Sequence, residues 1–216
     1  MKASQFIEDI SRLGFSVFSV AEASRILEKS SKYTSLYLSR LSDAGSILRI
    51  EKGKYCIKGT SQYAIASNML HPSYVSAMAA FKYYSLTTQN IYSIDVVSSA
   101  RHGAVEVVGF AMRFKKVPRK LMFGFCRSSE DGAFVAYFEK ALIDSIMLFG
   151  IPTSYIEEAV QNAKDTHMLD KRRLFAYMER IGSRGLYRRV NALGVSVKEM
   201  GKLSSTKKEV EEYASI

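Results

Sequence analysis

The sequence is poor in the groups on which many enzymes and secreted domains are built: two cysteines, no tryptophan, three prolines and three histidines in 216 residues. Cys56 and Cys126 stand far apart, with no CxxC and no paired histidines, so neither a disulfide framework nor a zinc site is legible. Both read as small buried hydrophobes in a reducing compartment. His71, His102 and His167 are scattered, none at metal-ligand spacing from another or from a cysteine. There is no GxxxxGK[ST] or GxGxxG phosphate loop, and no GxSxG or HExxH. No apolar run approaches the length of about 18 residues that a membrane helix needs. Tyr74 to Phe81 is broken by Ser76, and Ala141 to Ile151 by Asp144 and Ser145. At the N-terminus Glu8 and Asp9 arrive before an apolar core could develop, which argues against a secretory signal. The expectation is a cytoplasmic protein that is not an enzyme and has no catalytic residues, metal or cofactor.

What is present in excess is positive charge. Thirty-one Lys and Arg against 21 Asp and Glu give a net charge of +10, which favours a polyanionic partner such as nucleic acid. The hydrophobic content of 47% is enough for real cores, in one large domain or two small ones.

The first sixty residues carry the clearest pattern. Phe6, Ile7, Ile10 and Leu13 make one helical stripe, and Gly14 then stops a helix over about residues 3 to 13. After a short extended stretch, Phe15 to Phe18, Ser19 and Glu22 have the spacing of a capping box. They open a second helix that buries Val20, Ala23, Ile26 and Leu27 and ends near Lys29. Ser31 can cap a third, from Lys32 to about Ala44, ended by Gly45.

The third helix divides by period into two faces. Thr34, Leu38 and Leu41 form a stripe for packing, while Tyr33, Leu36, Tyr37 and Arg40 form the opposite, outward stripe, with Lys32 beside its start. Ile47 to Glu51, the tip Lys52-Gly53-Lys54, and Tyr55 to Lys58 then read as a β-hairpin with a basic tip. Three helices followed by a hairpin is the order of a winged helix-turn-helix, whose third helix enters the major groove and whose wing lies along phosphates. Candidate DNA-binding residues are Ser31, Lys32, Tyr33, Ser35, Leu36, Tyr37 and Arg40 on the helix, and Arg49, Lys52 and Lys54 on the hairpin. From Lys29 to Lys58, seven basic residues face only Asp43 and Glu51, an excess of +5 and half the net charge of the chain. The competing reading is a small helical module for protein contacts. It fits less well, because the outward stripe is polar, aromatic and cationic and not apolar.

Leu41-Ser42-Asp43-Ala44-Gly45-Ser46-Ile47, Gly53-Lys54-Tyr55-Cys56-Ile57, Tyr63-Ala64-Ile65-Ala66-Ser67, Pro72-Ser73-Tyr74-Val75-Ser76, the run Ala79 to Gln89, and Glu139-Lys140-Ala141-Leu142-Ile143-Asp144 occur in that order. Together they resemble the AbiEi family of antitoxins and related transcriptional regulators over about residues 5 to 195. The resemblance implies a winged helix on inverted repeats of double-stranded operator DNA at its own promoter. It also implies a C-terminal domain that counteracts a nucleotidyltransferase toxin, and no enzymatic activity. Ala80-Phe81 stands where the family pattern has Ala-Leu, and the C-terminal third matches weakly. The alternative is a free-standing winged-helix regulator without a toxin partner.

The rest of the chain reads as α+β, a larger mixed domain over residues 60–216 following a DNA-binding domain over 1–59, with the boundary near Gly59-Thr60-Ser61. Helices are expected at 63–69 and 76–85, and strands at 91–97, 105–110, 121–125 and 134–138. A helix from Glu139 to Gly150 and three more at 155–163, 171–181 and 186–193 complete it. Lys198 to Tyr213 is charged enough for a tail or an exposed final helix. Glu139, Lys140 and Asp144 are the most enzyme-like group, but Glu139 and Asp144 share a helical face poorly and a structural role is the simpler reading. Two further basic clusters, Lys115 to Lys120 and Arg184 to Arg189, suit an acidic or nucleic-acid partner, or a solvated surface.

Overall fold

A computed structural model describes residues 2–107 and 109–196. The first element, α1 (Ala3–Arg12), buries Phe6 and Ile10 and stops as its glycine predicts. Gly14 takes φ +72°; its amide reaches the Ser11 carbonyl at 3.0 Å, and the Phe15 amide reaches that of Ile10 at 3.3 Å. This pair of bonds satisfies carbonyls that the helix end would leave open, in a conformation costly for any residue with a Cβ. Leu13 does not join the stripe as expected: it is the C-cap residue, 57% exposed.

β1 (Phe18–Ser19) leads into α2 (Val20–Leu27), and the capping box is present in full. The Ser19 amide donates to the Glu22 carboxylate at 2.6 Å, and the Glu22 amide donates to Ser19 Oγ at 3.2 Å. α3 (Ser31–Asp43) follows, then β2 (Ile47–Glu51) and β3 (Lys54–Ile57). Of the extended stretch expected over Phe15 to Phe18, only Phe18 belongs to a strand; it pairs with Tyr55 and makes a three-stranded antiparallel sheet in the order β1-β3-β2.

That sheet is covered on both faces. Ile47 and Tyr55 join the core of the three helices, with Phe6, Ile10, Phe18, Leu27, Leu38 and Leu41. Ile50 and Cys56 join the core of the rest of the chain, with Leu48 packed against it. Side chains alternate across a strand, so adjacent apolar residues such as Tyr55 and Cys56 must serve opposite layers. The chain does leave the hairpin through Gly59, Thr60 and Ser61, where Ser61 caps the next helix, yet the hydrophobic layers on either side of that link interlock through β2 and β3.

The larger unit begins with α4 (Gln62–Asn68), β4 (Ser73–Val75), α5 (Ala77–Tyr83) and β5 (Ser93–Ser98). β6 (Val105–Val107), β7 (Phe110–Lys116), β8 (Phe125–Arg127) and β9 (Phe134–Ala136) complete a six-stranded sheet ordered β6-β7-β5-β4-β9-β8. β5 and β7 are parallel, as are β4 and β9, and the other pairs are antiparallel. Two strand expectations need correction, and one strand, β4, was not expected. Residues 105–110 are not one strand, because the chain turns back before Phe110 and runs on as β7 to Lys116; the terminal lysines, exposed at the strand end, hide that strand in the pattern. Residues 121–125 largely miss β8, since a single 3-10 turn occupies Arg119–Leu121. β4 is three residues long between two helices, too short for alternation to register.

α6 (Phe138–Asp144) continues as a π-helical segment over Ser145–Phe149 and ends at Gly150 in the left-handed region. α7 (Thr153–Asp165), α8 (Lys171–Ile181) and α9 (Arg184–Ala192) follow, all three at the expected places. The sequence over Lys198 to Tyr213 lies outside the described residues. No helix among the described residues is long and apolar enough to cross a membrane.

The enzyme-like group of α6 is buried in this fold. Lys140 pairs with Asp144 one turn on, between the rings of Tyr74 at 5.4 Å and Phe123 at 5.2 Å. Asp144 also accepts from Tyr74 Oη at 3.1 Å and Ser76 Oγ at 2.8 Å, which ties α6 to β4. Burial pushes the Lys140 pKa down, and the Asp144 carboxylate pushes back. Glu139 turns the other way, accepting the Asp170 amide at 2.6 Å and facing Arg173 at 3.4 Å, and so fastens the start of α8. Removing one member of a buried pair strands the other charge. Asp144→Ala is therefore expected to lower stability by about 3–5 kcal/mol, read as a shift of the urea midpoint with an unchanged slope.

Candidate nucleic-acid interface

Helix α3 owes its direction to three inward residues and one cap. Thr34, Leu38 and Leu41 are buried, as the period requires. The cap is Ser30 and not Ser31: the Ser30 hydroxyl accepts from the Tyr33 amide at 3.4 Å, and Ser31 is the first helical residue. Either serine fits the sequence pattern, and the turn after Glu28, which sits in the left-handed region at φ 53°, decides between them.

The outward face carries Ser31, Lys32, Tyr33, Ser35, Leu36 and Arg40, all exposed. Tyr33 and Leu36 are 52% and 54% exposed. Tyr37 differs from the other expected members of this face. Its ring stacks on Tyr33 at 6.4 Å but also meets Phe6 edge-on at 5.7 Å, so it packs down onto the three-helix core. Its hydroxyl is buried with no hydrogen-bond partner among the described residues, and burial raises its pKa. Tyr37 thus braces Tyr33, which stands above it.

On the hairpin the three candidate cations separate. Arg49 and Lys52 are exposed. Lys54 is engaged: its ammonium donates to the Met69 carbonyl at 2.6 Å and pairs with Glu51 at 3.0 Å. Glu51 in turn lies 3.3 Å from His102 Nε2, and the Gly53 carbonyl accepts the Val20 amide at 3.1 Å. The tip is therefore held from two sides, by the start of α2 and by the larger unit, and Lys54 is one of the pins and not a free charge. Met69 and His102, which do the holding, lie 15 and 48 positions from Lys54 in the sequence; no local pattern could have nominated them. Lys29 and Arg25 are also exposed at the end of α2, adding positive charge beside the start of α3.

A cleft of about 400 Å³ runs between the α1–β1 turn and the larger unit. Its charged lining is already paired, with Arg127 donating to the Gly14 carbonyl at 3.1 Å and Glu22 committed to the capping box. Among the described residues no group of three or more His, Cys, Asp or Glu is placed to hold a metal ion.

The segment that builds this surface also has relatives. Residues 5–58 match the family model described as transcriptional regulator, AbiEi antitoxin. The N-terminal unit, from α1 through the hairpin, is thus similar to the AbiEi antitoxin regulators, which supports the resemblance carried by Leu41 to Ile57. The match covers a quarter of the chain and ends at Lys58, so the AbiEi-like stretches from Tyr63 onward fall outside it. No match is found among curated proteins.

The cap assignment separates two adjacent serines. Ser30→Ala is expected to cost about 1 kcal/mol and Ser31→Ala less than half of that, compared by thermal or chemical denaturation.

Proposed function

We propose that the N-terminal unit is a winged helix-turn-helix that binds duplex operator DNA, and that the protein acts as a non-enzymatic antitoxin and repressor of its own operon. One observation carries the reading: α3 offers solvent a face of Lys32, Tyr33, Ser35, Leu36 and Arg40, while its opposite side is fully occupied by packing. A helix about 20 Å long fits the major groove, where Arg40 can donate two parallel bonds to a guanine edge and serine hydroxyls suit several bases. Leu36 and Tyr33 supply apolar contact, as a thymine methyl requires.

The wing in this reading is short and stiff. Arg49 and Lys52 contact phosphate, whereas Lys54 and Glu51 spend their charges on fixing the wing to the larger unit. Phosphate contacts position the helix and contribute most of the salt dependence, and base contacts add the discrimination. The fixed wing means that α3 and the larger unit meet DNA as one body, so whatever the larger unit binds is held at a set place relative to the operator.

The antitoxin role rests on the family of residues 5–58, and the partner the resemblance implies is a nucleotidyltransferase toxin. A free-standing regulator is the second reading, favoured by the end of the family match at Lys58. A nucleotidyltransferase in the neighbouring reading frame, with growth rescue on co-expression, supports the first; absence of both leaves the second.

For full-length protein on its upstream DNA, Arg40→Ala is expected to weaken binding by about 1–3 kcal/mol. Lys52→Ala should lower the slope of log K against log salt by about one, and Lys54→Ala should leave that slope unchanged while reducing stability. Unaltered affinity in K32A/R40A/K52A, measured by fluorescence anisotropy, removes the assignment.

A further inference from the structure

What the outward face of α3 lacks narrows what it can recognise. The 13 residues of the helix include no asparagine, glutamine or glutamate, and the one acid, Asp43, is the last of them, past Arg40. In the major groove an adenine edge is identified by the paired donor and acceptor of an Asn or Gln amide, and a cytosine amino group by a carboxylate. Ser35 and Ser39 are exposed, but a hydroxyl both donates and accepts, so it fits several bases. An A·T pair is therefore open to identification by this helix from the thymine side, where the C5 methyl offers an apolar contact that no unmodified C·G pair provides.

Tyr33 and Leu36 are built to make that contact. They stand three positions apart on one stripe, about 4.5 Å along the axis, and neither belongs to either hydrophobic core. Tyr33 is also held in place. Its ring lies within 10° of parallel to that of Tyr37, and Tyr37 is fixed edge-on against the fully buried Phe6. An apolar edge positioned before its ligand arrives loses less side-chain freedom on contact. One turn beyond Leu36 on the same stripe, Arg40 is exposed and pairs with no described acid. Its two parallel donors match O6 and N7 of guanine. About 10.5 Å of helix separates Tyr33 from Arg40, close to three base-pair steps of about 3.4 Å.

We propose that Tyr33 and Leu36 recognise the C5 methyl groups of pyrimidines. The helix then selects thymine with a guanine about two to three base pairs away, and it distinguishes thymine from uracil and 5-methylcytosine from cytosine. The inference rests on the reading that α3 lies in the major groove of operator DNA, and it names the chemical group that carries the selection there. It also makes binding responsive to cytosine methylation. Thymine and 5-methylcytosine carry the methyl at the same ring position and differ at the neighbouring exocyclic group, which the Leu36 side chain has no donor or acceptor to sense.

The test uses the full-length chain on duplexes of its upstream DNA, trimmed to the footprint. Each protected thymine is replaced in turn by deoxyuridine, which removes the methyl and leaves every hydrogen-bonding group in place. At one or two positions the affinity is expected to fall about fourfold, the factor that corresponds to one buried methyl group. With a C·G pair at such a position, 5-methylcytosine is expected to bind about fourfold more tightly than cytosine. Leu36→Ala and Tyr33→Ala should each abolish the thymine–uracil difference at one position, whereas Arg40→Ala weakens binding and keeps the difference. Equal affinity for thymine and deoxyuridine at every protected position overturns the inference. So does a difference that survives in the double variant Y33A/L36A, because the methyl then acts through the shape of the duplex. Either result leaves the α3 reading intact as long as K32A/R40A/K52A loses its preference for the upstream sequence. Retained preference in K32A/R40A/K52A sinks the α3 reading, and the inference with it.

Discussion

The hairpin β2–β3 is the member on which the rest of the structure depends, because its two faces belong to two hydrophobic cores. Ile47 and Tyr55 close the three-helix layer, and Ile50 and Cys56 close the larger one. An antiparallel sheet commonly leaves one face to water. Here that face is taken by the second unit, and the hairpin is shared between two cores. Rotation of the N-terminal unit about the Gly59–Ser61 link would expose Ile50 and Cys56 together, at roughly 25 cal/mol for each Å² of apolar surface uncovered. The units are consequently fixed in mutual orientation without needing a stiff linker.

That constraint also distributes the charges. A free hairpin would present both of its tip lysines to solvent, but docking the tip draws Lys54 onto the Met69 carbonyl and Glu51 toward His102. Glu51 is paired with Lys54 beside the surface proposed to meet phosphate, which spares that surface a repulsive charge. The outward side of α3 gains by the same economy: Thr34, Leu38 and Leu41 suffice for packing, and Tyr37 braces Tyr33 from below.

The larger unit has its own centre, where Asp144 receives Lys140, Tyr74 and Ser76. Ion pairs at such depth stabilise weakly in net terms but penalise any arrangement that separates them. The network joins β4 to α6 across about seventy residues of sequence, and Glu139, facing the other way, joins α6 to α8. The residues that most resembled chemistry are therefore those that set how sheet and helices meet.

Helices with strong period were legible in the sequence: α1, α2 and α3 begin and end within a residue or two of where Gly14, Ser19 and Gly45 put them, because those signals act within one turn, and α8 and α9 lie where their period placed them. The hairpin and the exposed cations of α3 followed from the same local rules, whereas the AbiEi resemblance rested on motifs, of which those within residues 5–58 lie in the family match. Strands β4, β7 and β8 did not, since three-residue strands and lysine-tipped ones have no alternation to read. The fate of Lys54, the inward lean of Tyr37 and the double burial of the hairpin depended on Met69, His102, Phe6 and the larger core, all distant along the chain. Period and capping are properties of neighbouring residues and are written in the sequence; which of two equivalent lysines remains free is set by whatever long-range packing brings against it, and only the tertiary structure supplies that.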